Sequence, residues 1–184
     1  MTGKEPGLKN RMPSDMSVPS TSFRSADLNA GSADLAFLCR LYASTRQEEL
    51  AQTGWPQAQI DSFLQQQFEA QHVHYMKHFA KAKFDLILNT RGQPIGRLYL
   101  DERQDEIRII DIALLPANRG NGIGGRILED ILAQAQKSHK PVRIHVEKNN
   151  PAMRLYRRLG FFPVEDQGVY ELLERSPQPI PATS

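Results

Sequence analysis

The amino-acid sequence predicts one mixed α/β domain, in which a central, mostly antiparallel sheet is flanked by helices. Its 184 residues suffice for a single domain with its own hydrophobic core. The predicted elements follow the order β-α-α-β-β-β-α-β-α-β-β, and short polar connections join the three middle strands, which is typical of an antiparallel meander. Both ends lack residues that could pack on a core. We therefore predict a folded domain over residues 21–175, a disordered segment over residues 1–20 and a Pro-rich tail over residues 176–184.

The composition excludes several classes of protein. The formal net charge of +2 is too small to indicate a nucleic-acid partner. No apolar run is long enough to span a membrane, and no apolar segment follows the first basic residues as in a secretory signal. The single cysteine, Cys39, excludes a disulfide within the chain, as is usual in reducing compartments. These features predict a cytoplasmic protein.

The first half of the domain is predicted to contain a short strand, at residues 21–24, and two helices. Ser32 is the predicted N-cap of the first helix, because apolar residues recur at helical spacing after it. Gly54 ends this helical region, and Pro56 is predicted as the first residue of the second helix. We interpret the apolar face of each helix as core packing. That of the second helix consists of Ile60, Phe63, Leu64, Phe68 and Tyr75.

Strands dominate the second half of the domain. They are predicted at residues 84–88, 95–100, 106–115, 141–146, 161–164 and 168–173. Two helices lie between them. The first presents one apolar face formed by Ile127, Leu128, Ile131, Leu132 and Ala135. The second is predicted to begin with Asn150 as N-cap and Pro151 as its first residue, and to end at Gly160.

A Gly-rich loop joins a predicted strand to a predicted helix at residues 119–125. Because Gly120, Gly122, Gly124 and Gly125 lack Cβ atoms, backbone N–H groups there can approach an anion closely. The N-terminus of the following helix adds a partial positive charge. These features favour a pyrophosphate site over a turn that only changes the direction of the chain.

The same loop formally matches the dinucleotide-binding pattern G-x-G-x-x-G through Gly120, Gly122 and Gly125, with Glu147 after the next strand. That pattern normally opens a doubly wound parallel sheet. Here two helices and an antiparallel meander precede it, so a nucleotide-dependent oxidoreductase is a remote alternative. The absence of Gly-Lys-Ser/Thr excludes a Walker A loop.

Two blocks of the sequence resemble the motifs of the GNAT (general N-acetyltransferase) superfamily. Residues 114–124 resemble its coenzyme A motif, Q/R-x-x-G-x-G/A, whose defining positions are filled by Arg119, Gly122 and Gly124. Residues 150–161 are similar to its second block, in which an Asn and an Ala lead to Leu-Tyr-x-x-x-Gly-Phe. One helix and one strand separate the two blocks, as in the family.

The resemblance implies an acetyl-CoA-dependent N-acetyltransferase that acts on a primary amine by direct transfer in a ternary complex, without a metal. It implies that backbone amides of the Gly-rich loop hold the coenzyme's pyrophosphate and that the end of the preceding strand lies along the pantetheine arm. Tyr156 would protonate the departing thiolate. Either Asn149 or Asn150 would lie beside the pantetheine or thioester, unless Asn150 only caps a helix. The coenzyme-binding residues implied are Leu114, Leu115, Arg119, Gly120, Asn121, Gly122, Ile123, Gly124, Gly125, Asn149 and Asn150.

Transfer to an amine also requires a base, because the ammonium form must lose a proton. Asp111 interrupts a very apolar run, where a carboxylate is costly unless it is solvated or partnered. A cleft-facing base and a buried structural acceptor both fit this position. His145, on the more polar face of the next strand, and Glu106, near the start of the Asp111 strand, are the other candidates, together with a chain of water molecules.

The remaining features are assigned no chemistry. His72, His74 and His78 include one pair at metal-ligand spacing, but no third ligand is evident, so no metal site is predicted. A non-catalytic acyl-CoA-binding or regulatory module is the main alternative to an enzyme. No motif specifies the acceptor, which the family implies to be a small-molecule or peptide amine, and the sequence is compatible with a homodimer.

Overall fold

A computed structural model describes residues 18–179, in which seven strands form one sheet in the order β1-β2-β3-β4-β5-β7-β6. The elements along the chain are β1 (Ser22–Ser25), α1 (Ala33–Ala51), α2 (Gln57–His78), β2 (Lys83–Leu88), β3 (Pro94–Glu102), β4 (Ile107–Leu114), a 3-10 turn (Pro116–Asn118), α3 (Ile123–Ser138), β5 (Val142–Glu147), α4 (Met153–Arg158), β6 (Phe162–Gln167) and β7 (Tyr170–Arg175). The predicted mixed α/β fold and its element order are confirmed. Most of the predicted disordered segment and the end of the predicted tail lie outside the described residues.

The sheet is antiparallel except between β4 and β5. The parallel ladder of these two strands is short, because only residues 107–109 of β4 pair with residues 142–144 of β5. Both strands continue beyond the ladder, β4 to Leu114 and β5 to Glu147. The two strands therefore separate towards their C-terminal ends and leave a gap within the sheet.

Helices cover both faces of the sheet, and each face has its own core. Strand residues alternate between the cores, as Leu86 and Leu88 do against Ile87, because successive side chains of a strand point to opposite faces. The core under α1 and α2 contains Phe37, Leu38, Leu41, Tyr42, Ile60, Leu64, Phe68, Leu86, Leu88 and Tyr99. The core under α3 and α4 includes Ile107, Ile109, Ile127, Leu128, Ile131, Ala135, Ile144, Tyr156 and Phe161. No helix within residues 18–179 is long and apolar enough to cross a bilayer.

Helix starts agree with the sequence prediction at α1 and differ at α2 and α4. Ser32 caps α1, since its hydroxyl accepts the Leu35 N–H at 3.0 Å. Pro56 is the N-cap of α2 and not its first residue, because its ψ of 142° is extended. Asn150 Oδ1 accepts the Ala152 N–H at 2.8 Å, as a capping side chain does, but the α-helix itself begins only at Met153. The predictions for Pro56 and Asn150 as helix starts were therefore wrong.

Candidate active site

A β-bulge in the middle of β4 sets the direction of Asp111. In the β3–β4 ladder Asp111 pairs with Tyr99 and Ile109 with Leu100, so Ile110 is an extra residue without a partner. Strict alternation from Ile109 would direct Asp111 into the core under α3 and α4. The bulge instead places it on the opposite face, beside α2. Bulges commonly redirect a side chain next to an active site.

A cleft of about 360 Å³ occupies the gap where β4 and β5 separate. Its lining combines residues of α1 and α2 on one face of the sheet with Tyr156 of α4 on the other, so the cleft passes through the sheet. It brings together five of the residues predicted from the sequence, namely Asp111, His145, Asn149, Asn150 and Tyr156.

One oxygen of the Asp111 carboxylate is hydrogen-bonded within the protein, and the other faces the cleft. Its Oδ2 accepts hydrogen bonds from Arg97 Nη2 at 2.7 Å and from the Tyr75 hydroxyl at 3.1 Å. Its Oδ1 accepts none from the described residues, and it is not among the buried atoms that lack a partner, so it is open to the cleft. Asp111 thus combines the two interpretations of the sequence, since it is partnered within the protein and also faces the cleft.

Arg97 and Tyr75 are functional residues that sequence reasoning did not identify. Tyr75 was interpreted only as a core residue of α2. The signal for Arg97 was available, because an arginine within the apolar strand β3 needs a partner if it is buried. That partner, Asp111, is 14 residues away, and only the register of β3 against β4 reveals it.

Tyr156 places its ring in the core under α4 and its hydroxyl at the cleft. The side chain is 4% exposed, and its ring packs edge to face on Phe161 at 5.6 Å between centroids. The hydroxyl makes no hydrogen bond within residues 18–179 and is not a buried unpartnered atom, so it reaches the cleft. Burial, and then the negative charge of Asp111, raise the pKa of Tyr156. The phenol is therefore protonated at neutral pH and can donate a proton.

His145 lies on the exposed face of β5 beside Arg108. Burial, and then the Arg108 charge, lower the pKa of His145, which favours the neutral imidazole at pH 7. Arg108 Nη1 lies 3.2 Å from His145 Nδ1. Because a guanidinium can only donate, Nδ1 must be the acceptor and the neutral ring carries its proton on Nε2. The lone pair that a base needs is thus already occupied.

Glu106 does not line the cleft. It is 3% exposed and forms ion pairs with Arg103 at 2.8 Å, Arg108 at 2.9 Å and Arg143 at 3.1 Å. A buried carboxylate with three arginine partners is an electrostatic anchor for the start of β4. The surroundings of Glu106 therefore indicate a structural role and not that of a catalytic base.

The Gly-rich loop presents free backbone donors at the N-terminus of α3. Gly120 and Gly122 have φ angles of 76° and 78°, in the left-handed region that favours glycine. Gly122 is the N-cap of α3 and provides no side-chain cap. None of the amides of residues 120–125 donates a hydrogen bond to the described residues. Such unsatisfied donors at a helix N-terminus form an anion site.

The end of β4 connects this loop to the cleft. Arg119 Nε donates to the Leu114 carbonyl at 2.8 Å, which fixes the loop against the strand. The Leu115 N–H donates to the Ile95 carbonyl at 2.8 Å, so it belongs to the β3–β4 ladder. Neither leucine lines the cleft described above, which ends at Ala113 on this strand.

The described residues contain no group of three or more His, Cys, Asp or Glu side chains that could hold a metal ion. In α2, His74 and His78 stack on each other with their ring centroids 4.2 Å apart. His78 Nδ1 lies 2.9 Å from the His74 carbonyl. The histidine pair at metal-ligand spacing therefore makes helix-surface contacts.

Comparison with known proteins identifies the family. Solved structures share the fold at low sequence identity. PaiA N-acetyltransferase from Thermoplasma acidophilum in complex with coenzyme A has a TM-score of 0.62 at 16% identity, over 85% of this chain and 99% of that one. A Corynebacterium glutamicum structure, described as histone acetyltransferase HPA2 and related acetyltransferase, has a TM-score of 0.58 at 20% identity. The match covers 89% of this chain and 99% of that one. A GNAT family acetyltransferase from Elizabethkingia anophelis with acetyl-CoA bound has a TM-score of 0.50 at 16% identity, over 85% of this chain and 97% of that one. Residues 39–161 match the model of the acetyltransferase (GNAT) family, and the chain belongs to that family.

Proposed function

We propose that the protein transfers the acetyl group of acetyl-CoA to a primary amine directly, within a ternary complex. The observation that carries this proposal is that one cleft brings the Tyr156 hydroxyl and the open oxygen of Asp111 together where β4 and β5 separate. A proton donor and a carboxylate in one cleft suit a reaction in which a thiolate gains a proton and an ammonium loses one.

The Gly-rich loop is the proposed pyrophosphate site. Within residues 18–179, the amides of Gly120, Asn121, Gly122, Ile123, Gly124 and Gly125 donate no hydrogen bond, and residues 120–122 are exposed. A pyrophosphate there places the pantetheine arm along Leu114 and Leu115 and the thioester in the gap between the strands. Asn149 and Asn150 line the gap from the β5 side. The neighbours crystallised with coenzyme A and acetyl-CoA support this ligand.

The proposed reaction begins when the acceptor's ammonium group binds Asp111 Oδ1 and gives it one proton. The free amine attacks the thioester carbonyl, the C–N bond forms and the C–S bond breaks. The Tyr156 hydroxyl protonates the departing thiolate, and the second amine proton, lost as the amide forms, restores the phenol. Asp111 passes its proton to water in the open cleft. One proton is thus released for each acetyl group transferred.

Asp111 is the proposed proton acceptor on geometric grounds. Its Oδ1 is open to the cleft, whereas His145 Nδ1 is occupied by Arg108 and Glu106 lies away from the cleft among three arginines. Of the three candidates, only Asp111 has a free lone pair where an acceptor can bind.

The test is coenzyme A release from acetyl-CoA across a panel of primary amines, namely n-butylamine, putrescine, lysine, a tetrapeptide with a free N-terminus and kanamycin. Turnover with at least one amine, with the acetyl group found on its nitrogen by mass spectrometry, is the expected result. A non-catalytic acyl-CoA-binding module predicts acetyl-CoA binding without release. In a parallel thermal-shift titration, stabilisation by NAD and not by acetyl-CoA would indicate the oxidoreductase alternative.

A further inference from the structure

Arg97 is a buried, charged side chain that contacts the proposed proton acceptor. We infer that Arg97 is a positioning residue, which fixes the Asp111 carboxylate so that Oδ1 meets the acceptor's amine. This inference rests on the proposed acetyl transfer. It adds a residue that belongs to neither sequence motif and that lies outside the coenzyme site.

Arg97 lines the cleft, and its guanidinium contacts orient the Asp111 carboxylate. It is 3% exposed, and its Nη2 donates to Gln71 Oε1 at 3.0 Å and to Asp111 Oδ2 at 2.7 Å. Its guanidinium carbon lies 5.2 Å from the centre of the Tyr99 ring, which fixes the plane of the group from the other side. The side chain therefore has little freedom to turn towards a ligand.

Asp111 Oδ2 receives both of the hydrogen bonds that the described residues make to the carboxylate. Arg97 supplies one and the Tyr75 hydroxyl the other. Two donors on one oxygen determine the rotation of the carboxylate, and they leave the lone pairs of Oδ1 for the cleft. Gln71 and Tyr75 lie one helical turn apart on α2, so the same contacts fasten α2 to the bulge of β4.

The buried Arg97 side chain lowers the stability of the fold, which a purely structural role does not explain. Arg97 Nε is the only buried side-chain nitrogen or oxygen without a partner in the part of the chain that the structure describes. An unsatisfied buried donor destabilises the fold, and an apolar residue in β3 would avoid it. Retaining the arginine makes physical sense if the orientation of Asp111 matters more than this loss, as is common at functional sites.

The test is a double-mutant cycle on acetylation of the best amine from the panel, with R97K, D111N and the double variant. R97K keeps the positive charge but not the planar guanidinium that bridges Gln71 and Asp111. We expect D111N to lower kcat/KM for the amine about 100- to 10,000-fold, because it removes the proposed base, and R97K to lower it about 10- to 100-fold, with the Kd for acetyl-CoA within about twofold of wild type in both. Because Arg97 acts through Asp111, adding R97K to D111N should change kcat/KM by less than about twofold.

The matched control is R143K, the same substitution at an arginine that pairs with Glu106 and Glu174 away from the cleft. It should leave kcat/KM for the amine unchanged. If R97K fails to fold, Y75F replaces it in the cycle, since it removes the other bond to Oδ2 and keeps the ring that packs on Tyr99.

Two failures can be told apart. Wild-type protein that releases no coenzyme A with any amine overturns the proposed function, and this inference with it. Wild-type turnover combined with an unchanged kcat/KM in R97K, or with effects of R97K and D111N that multiply in the double variant, overturns the inference alone.

Discussion

Replacement of Tyr156 by Phe tests the proposed proton donor with little disturbance of the fold. The ring is 4% exposed and packs on Phe161, and both features survive the loss of the hydroxyl. Because the hydroxyl has no partner among the described residues, no buried group is left unsatisfied. We therefore expect the free energy of unfolding to change by less than about 1 kcal/mol. A general acid contributes about 100- to 10,000-fold to the rate, so kcat should fall by that factor, or about 2.7 to 5.4 kcal/mol.

The assay is coenzyme A release at saturating acetyl-CoA and amine, with the Kd for acetyl-CoA measured by calorimetry. Affinity should stay within about twofold of wild type, because the pyrophosphate amides are untouched. The control is Tyr42→Phe, the same change in a tyrosine of α1 that lines the same cleft, packs on Phe68 and has no assigned role in proton transfer. It should keep kcat within about threefold. A Tyr156→Phe variant that turns over like wild type would remove this phenol from the reaction.

Three further predictions concern the Gly-rich loop, the buried carboxylate of Glu106 and the dependence of kcat on pH. Gly122→Ala should weaken acetyl-CoA binding about tenfold by calorimetry, because an added Cβ is strained at φ 78° and lies 3.0 Å from Val18 Cγ2. Gly31→Ala, at φ 82° in open space, should cost similar stability without loss of acetyl-CoA affinity, and equal affinities in the two variants would refute the assignment of the loop. Glu106→Gln should cost about 3 kcal/mol in the free energy of unfolding, since it leaves three arginines without their buried anion. Glu49→Gln, at a carboxylate that is 73% exposed, should cost less than about 1 kcal/mol, and chemical denaturation of both variants checks the difference. Tyr156 must be protonated to act, so kcat is lost as pH rises through its pKa. Because burial and Asp111 raise that pKa, no loss due to Tyr156 should occur below about pH 10. A decline near pH 8 that disappears in Tyr156→Phe would contradict this expectation.

Local sequence signals predicted the parts of the site that depend on neighbouring residues. The glycines of the loop predicted accessible backbone amides before a helix, and Gly120 and Gly122 have positive φ angles at the start of α3. Tyr156 lies on the helix that was predicted to end at Gly160, with its ring buried and its hydroxyl at the cleft. The start of α4 was placed too early, since the regular α-helix begins at Met153, after the Asn150 side chain has accepted the Ala152 N–H.

By itself, the sequence determined the order of elements, the position of the loop before α3 and the two motifs of the family. Each depends on residues close together in the chain, where spacing and backbone preference are sufficient. Only the tertiary structure decided that Asp111 points into the cleft and that Arg97 holds it. Both follow from a bulge in the register of β3 against β4 and from the packing of α2 on that face. Pairing across strands depends on contacts between distant residues, which no local pattern records.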